Sequence, residues 1–245
     1  MKLGEIVAPT IKELFIQRLE ELILSGELRP GNPLPTEREI ADEMKISKTT
    51  VHEGLRELIR LGFLETEGRK GVRVADYAQT GNLDTLLAIM RYRDGRLDST
   101  TLRSMLDARG YLEYPAFEAL AESHTPEDVA RLTTLAEEAA HAAEISDDAL
   151  AEALFRYHRT VTFLSGNTIT PLILNAFLPA CINSWKTHIR RVGREHCVRR
   201  LEEFTRCIEA GDGSGAVRLL REDHDGFIQE LDSGVSRAEA ARKRR

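Results

Sequence analysis

Residues 34–58 read Leu34-Pro35-Thr36-Glu37-Arg38-Glu39-Ile40-Ala41-Asp42-Glu43-Met44-Lys45-Ile46-Ser47-Lys48-Thr49-Thr50-Val51-His52-Glu53-Gly54-Leu55-Arg56-Glu57-Leu58. The run Thr36-Glu37-Arg38-Glu39 is a capping box, in which the Thr36 hydroxyl and the Glu39 carboxylate satisfy free amides at the start of a helix. A short helix carrying Ile40, Ala41 and Met44 follows, and Ile46-Ser47 turns the chain. Ser47 then caps a second helix that runs through Leu61 and stops at Gly62. On that helix Val51, Leu55, Leu58 and Ile59 fall within one narrow arc and are expected to be buried. Thr49, His52, Glu53 and Arg56 then point outward, with Lys48 in the exposed first turn.

Working outward, apolar positions from Ile11 to Ile23 recur at helical spacing and Gly26 ends them. The stretch Arg29-Pro30-Gly31-Asn32-Pro33-Leu34-Pro35 is incompatible with helix and forms a loop. Downstream, Phe63–Thr66 and Val72–Val74 are short strand candidates around Gly68-Arg69-Lys70-Gly71, a hairpin turn with two cations at its tip. Helix, helix–turn–helix and basic hairpin together make a winged helix–turn–helix over residues 1–76. Such a unit inserts its second helix into the major groove. Arg38, Thr49 and Thr50 are assigned to phosphates, Lys48 and His52 to base edges with Arg56 on the same face, and Arg69 and Lys70 to the adjacent minor groove or backbone.

After Asp76 the strand signals end. Helical patterns cover Leu83–Tyr92, Thr100–Ser123, Pro126–Ile145, Asp148–Leu164, Thr170–Val192, His196–Glu209 and Ser214–Asp232, separated by Thr-Pro starts and glycine stops. The expected fold class is mainly α, a winged helix–turn–helix followed by an all-α antiparallel bundle. The expected division is 1–76, a linker at 77–82, an effector-binding and dimerisation domain at 83–233, and a disordered basic tail at 234–245.

Composition sets the outer limits. The chain has 245 residues, 34 Lys+Arg and 40 Asp+Glu, a net charge of −6. That acidity hides a basic stretch: Lys45 to Ala75 carries seven bases against four acids. Residues 107–155 carry twelve acids and two bases, and 186–206 seven bases and three acids. A local patch decides polyanion binding, so duplex DNA remains a fitting partner. No apolar run reaches the roughly 18 residues of a membrane span, and the first residues lack a signal-peptide core. Three cysteines without Cys-x-x-Cys spacing point to reduced thiols in a cytoplasm and exclude a zinc finger. No nucleophile–base pair or glycine-rich phosphate loop is visible, so no enzyme is expected.

The stretches 34–41 and 46–51, with Leu55-Arg56-Glu57-Leu58 and Gly62-Phe63-Leu64, resemble the DNA-binding domain of the GntR superfamily of bacterial transcription regulators over about residues 8–76. The sequence departs from the family at Lys48 and His52, where the family commonly or often has Arg. Lysine is a point charge without arginine's planar fork, so the half-site is expected to differ. A histidine in that position also brings pH dependence within reach. Leu106-Asp107-Ala108-Arg109, Leu112-Glu113, Thr125-Pro126-Glu127-Asp128, Thr80–Leu86, Leu164–Asn167 and Leu172–Asn175 resemble the helical body of the FadR-type branch, including its fatty-acyl-CoA-responsive members. The resemblance implies a homodimer on a palindromic operator, released or engaged by an effector in the bundle. The implied effector is a fatty acyl-CoA or a related organic acid.

Many members of that branch hold a divalent metal through one Asp and three His. Here His158 matches the first histidine, but Leu154 stands for the Asp, Leu201 for the next ligand and Asp223 for the last, with His224 one residue out of register. No metal cofactor is therefore expected. The alternative, a metal-dependent carboxylate sensor, requires Asp107, His158 and His224 to converge; a helical metal hydrolase with a DNA-binding domain is a further rival. Without a metal, an anionic effector needs cations. Arg109, on a helix whose Met105, Leu106 and Leu112 look buried, needs either a ligand anion or an internal acid. Candidate effector contacts are Arg109, His158, Asn175, Trp185 and Arg190, the last within a basic cluster that is either a phosphate-binding mouth or a solvated face.

Overall fold

The computed structural model describes residues 8–68 and 71–242. The chain divides into two compact units, residues 1–92 and 93–245.

In the first unit α1 (Ile11–Leu24) opens with a capping box between Thr10 and Glu13. Helix α2 (Glu37–Met44) opens with the expected box between Thr36 and Glu39. Ser47 caps α3 (Lys48–Arg60), its hydroxyl accepting from the Thr50 amide at 3.0 Å. Strands β1 (Leu64–Thr66) and β2 (Val72–Val74) pair antiparallel, Leu64 opposite Val74. The proline-rich loop lies along the other edge of β2: the Gly31 amide donates to the Val74 carbonyl and the Leu34 amide to the Val72 carbonyl. Phe15, Leu19, Ile23, Ile40, Val51, Leu55, Leu58, Phe63 and Val74 fill the space between the three helices and the hairpin. Gly54 faces Phe15 directly, and a Cβ there would overlap the ring.

This unit extends beyond the expected boundary at residue 76. The segment 77–82, expected as a linker, contains the short helix α4 (Tyr77–Thr80), and Tyr77 meets the Phe63 ring edge-on at 5.5 Å. Helix α5 (Leu83–Arg91) is tied to the end of α3: the Thr85 hydroxyl donates to the Leu61 carbonyl and Arg60 pairs with Asp84. Ala88 and Ile89 pack on the same core. These contacts are invisible to a reading of linker composition.

The second unit is helical. Helices α6 (Ser99–Ser123), α7 (Pro126–Ile145) and α8 (Asp147–Leu164) are followed by α9 (Thr170–Ala176), α10 (Leu178–Val192), α11 (Arg194–Glu209) and α12 (Gly213–Arg242). The expected single helix Thr170–Val192 is two helices, because Pro179 has no amide to continue the ladder and restarts the chain near the beginning of α10. Helix α12 continues past the expected end to Arg242, through the segment read as a tail; residues 243–245 lie outside the described residues. Helix α8 packs against α6, α7 and α10, and Leu150, Leu154 and Tyr157 on it are fully buried with Phe117, Leu132, Leu201 and Phe204. No helix among the described residues is long and apolar enough to cross a membrane.

Candidate nucleic-acid interface and inner polar site

Helix α3 separates its side chains as its periodicity requires. Val51, Gly54, Leu55 and Leu58 are buried, while Lys48, Thr49, His52, Glu53 and Arg56 are exposed. Thr50 is half-buried, its hydroxyl 2.8 Å from that of Ser47. Arg38, on α2, is largely exposed and lies 3.8 Å from Asp42. The first turn of α3 carries no acidic residue, so its free amides and partial positive charge are left to an anion such as phosphate. His52 reaches back across the turn to α2, its Nδ1 2.8 Å from Glu37 Oε1. Arg69 and Lys70 lie outside the described residues.

The second unit encloses a polar cluster. Arg109 and Glu113, one turn apart on α6, are 2% and 0% exposed, and Arg109 Nε donates to Glu113 Oε1 at 2.9 Å. The acid that neutralises Arg109 is thus internal, one of the two alternatives its position allowed. His158 of α8 places Nδ1 3.4 Å from the same oxygen and 3.4 Å from Arg109 Nη2. His224 of α12 lies 3.8 Å from Glu113 Oε2 and bonds through Nδ1 to the Tyr114 hydroxyl at 2.9 Å. The Arg109 guanidinium lies 4.5 Å from the centre of the Trp185 ring, a cation–π contact in a desolvated setting.

Burial would raise the Glu113 carboxyl, but Arg109 first and His158 next outweigh it and hold the acid well below its usual range. Burial pushes His158 down, partly offset by Glu113. Burial, aided by Arg109, lowers His224 to about 3; burial, aided by Arg191, lowers His188 to about 3. The cluster is therefore one ionised acid and one guanidinium among neutral imidazoles. Four of its buried polar atoms have no hydrogen-bond partner among the described residues: Glu113 Oε2, His158 Nε2, His224 Nε2 and Trp185 Nε1. Beside them is a cavity of about 20 Å³ lined by Leu106, Arg109, Ser184, Trp185, His188, Asp223, His224 and Phe227. That is room for about one water, against the roughly 300 Å³ or more of a ligand pocket.

The five effector candidates separate into two groups. Arg109, His158 and Trp185 come together at this cluster. Asn175 is exposed on α9, and Arg190 is exposed on α10, 3.8 Å from Asp147; neither lines the inner cavity. The break at Phe177 separates Asn175 from the α10 face, and Arg190 follows the inward Ile189 onto the outer side. Glu113, the centre of the cluster, was not among the candidates; its signal was the Arg109–Glu113 spacing of four, which places both on one helical face.

The metal arrangement of the resembling branch does not fit these residues. Leu154 and Leu201 fill two ligand positions with core side chains, Asp223 pairs with Arg200 at 3.0 Å, and Asp107 is exposed while His158 is buried. Among the described residues no group of three His, Cys, Asp or Glu is placed to hold a metal ion.

Residues 12–74 match the bacterial regulatory proteins of the gntR family, and residues 104–225 match the FCD domain. The chain is 28% identical over 228 residues to the HTH-type transcriptional regulator Mce2R of Mycobacterium tuberculosis, covering 91% of this chain and 92% of that one. It is 31% identical over 166 residues, 63% of each chain, to a fatty acid metabolism regulator protein of Shewanella baltica. Among solved structures, Lar, which controls expression of the Listeria monocytogenes agr system, has the same fold: TM-score 0.63 at 14% identity, covering 93% of this chain and 99% of that one.

Proposed function

The chain belongs to the gntR family of bacterial regulatory proteins and carries an FCD domain, and from that premise we propose a cytoplasmic homodimer that binds a palindromic operator and answers to an effector in its helical unit. It is a transcription regulator and not an enzyme. The observation that carries the reading is the division of α3 into a buried apolar side and an exposed side bearing Lys48, Thr49, His52 and Arg56. In each protomer this exposed side enters a major groove, with Arg38, Thr49 and Thr50 on phosphates and Arg69 and Lys70 assigned to the adjacent minor groove or backbone.

The effector is a fatty acyl-CoA or a related organic acid. The supporting observation is the Shewanella baltica relative's name; Arg109 is already paired with Glu113, so the effector's anion would have to share or displace that acid. At about 20 Å³ the inner cavity admits no such molecule while closed. Binding therefore selects an arrangement in which the walls around Trp185 have opened. An effector that favours one of two arrangements shifts DNA affinity by its differential affinity for them.

The test is a fluorescence-anisotropy titration of the chain against its own promoter DNA over a range of salt, with and without acyl-CoAs and short organic acids, while Trp185 emission is recorded. Salt-dependent, sequence-preferring binding that an effector shifts together with Trp185 emission supports the reading. Binding indifferent to sequence and salt sinks the DNA reading, and emission unmoved by every compound sinks the effector site.

A further inference from the structure

His52 stands in the second turn of α3, on the exposed side with Lys48, Thr49 and Arg56. Glu37 is the first residue of α2, so the 2.8 Å contact from His52 Nδ1 to Glu37 Oε1 spans both helices of the helix–turn–helix. An ionised carboxylate only accepts hydrogen bonds, so the proton of this contact sits on Nδ1. A neutral imidazole has one N–H; with it committed to Glu37, Nε2 is left as a lone-pair acceptor. The major-groove edges divide on that point. Cytosine N4 and adenine N6 offer amino donors, guanine offers O6 and N7 acceptors, and thymine offers O4 and a methyl group.

We propose that Glu37 holds His52 in the Nδ1–H tautomer and that His52, through its bare Nε2, selects a base carrying an amino group, cytosine or adenine, where an arginine at this position selects guanine. Glu37 acts as a positioning residue and His52 as the reader. The inference rests on α3 entering the major groove. It adds which base class one named side chain accepts and why.

The experiment is selection of binding sites from a randomised duplex library by the full chain and by its E37A and H52R variants. It is paired with long-range proton–nitrogen spectra of the free chain, which report the His52 tautomer directly. The wild type is expected to prefer cytosine or adenine at one step of each half-site by about three- to tenfold, the worth of one hydrogen bond. E37A is expected to flatten that preference at this step alone, and H52R to convert it to guanine. The spectra are expected to show the proton on Nδ1 in the wild type and a mixture in E37A. A specific complex whose preference at every step survives E37A overturns the inference while leaving the DNA reading intact, as does a proton found on Nε2. Absence of any sequence preference overturns the DNA reading, and this inference with it.

Discussion

Glu113 is fully buried, with Arg109 bonded to it and His158 and His224 within 4 Å, so its removal strands a charge in the desolvated interior. Glu113→Leu leaves the Arg109 guanidinium uncompensated and is expected to destabilise the helical unit by about 3–5 kcal/mol, the usual effect of breaking one side of a buried pair. Replacing both partners, Arg109→Met with Glu113→Leu, removes the charges together and is expected to be far milder than either single change. Urea denaturation of the four proteins closes the cycle. Near-additive losses would show that the two side chains do not depend on one another. The same residues mark where the sequence stops being informative. The capping pair Thr36–Glu39 was legible because both partners lie within one turn. His158 and His224 converge on Glu113 from helices 45 and 111 residues further along, and no local spacing encodes that meeting.

At the scale of the element, α3 is seated on α1 through a missing side chain. Gly54 is a poor helix former, and replacing it by alanine on a free helix surface would gain about 1 kcal/mol. Here the added methyl would overlap the buried Phe15 ring, which is 3% exposed and has no open space to swing into. Gly54→Ala is therefore expected to destabilise the first unit by about 1–3 kcal/mol despite its better propensity, and to lower DNA affinity by displacing the exposed side of α3. Thermal melts and anisotropy on the same sample check both; a rise in melting temperature would contradict the packing argument. The buried and exposed sides of α3 were readable from its 3.6-residue period: the structure buries Val51, Leu55 and Leu58, while Ile59, expected with them, is only half-buried against the same core. Asn175 was misplaced because the pattern over 170–192 continues across Pro179 while the backbone does not. The segment 77–82 looked like a linker because Tyr77 finds its partner, Phe63, outside its own neighbourhood.

For the molecule as a whole, the two units should respond differently to acid. His188 and His224 have folded values near 3, against an ordinary value of 6.5, because burial disfavours their charged forms. Between those values the unfolded chain binds more protons than the folded one. Stability is then fully present above about pH 6.5 and falls as pH drops toward 3, by about 1.4 kcal/mol per pH unit for each histidine. The first unit has a single histidine, His52, and it is exposed. Calorimetry at pH 7.5 and pH 5 is expected to show the helical unit's transition moving down while the first unit's holds; a common shift of both would refute this assignment.

The narrowness of the space beside Trp185 has a kinetic corollary. A guest that must wait for helices to part is admitted no faster than they part, however much of it is supplied. Stopped-flow traces of effector uptake should accordingly level off to a concentration-independent rate, far below the limit of diffusional encounter. The tempo of the response would then be an intrinsic property of the bundle's breathing rather than of the metabolite's abundance.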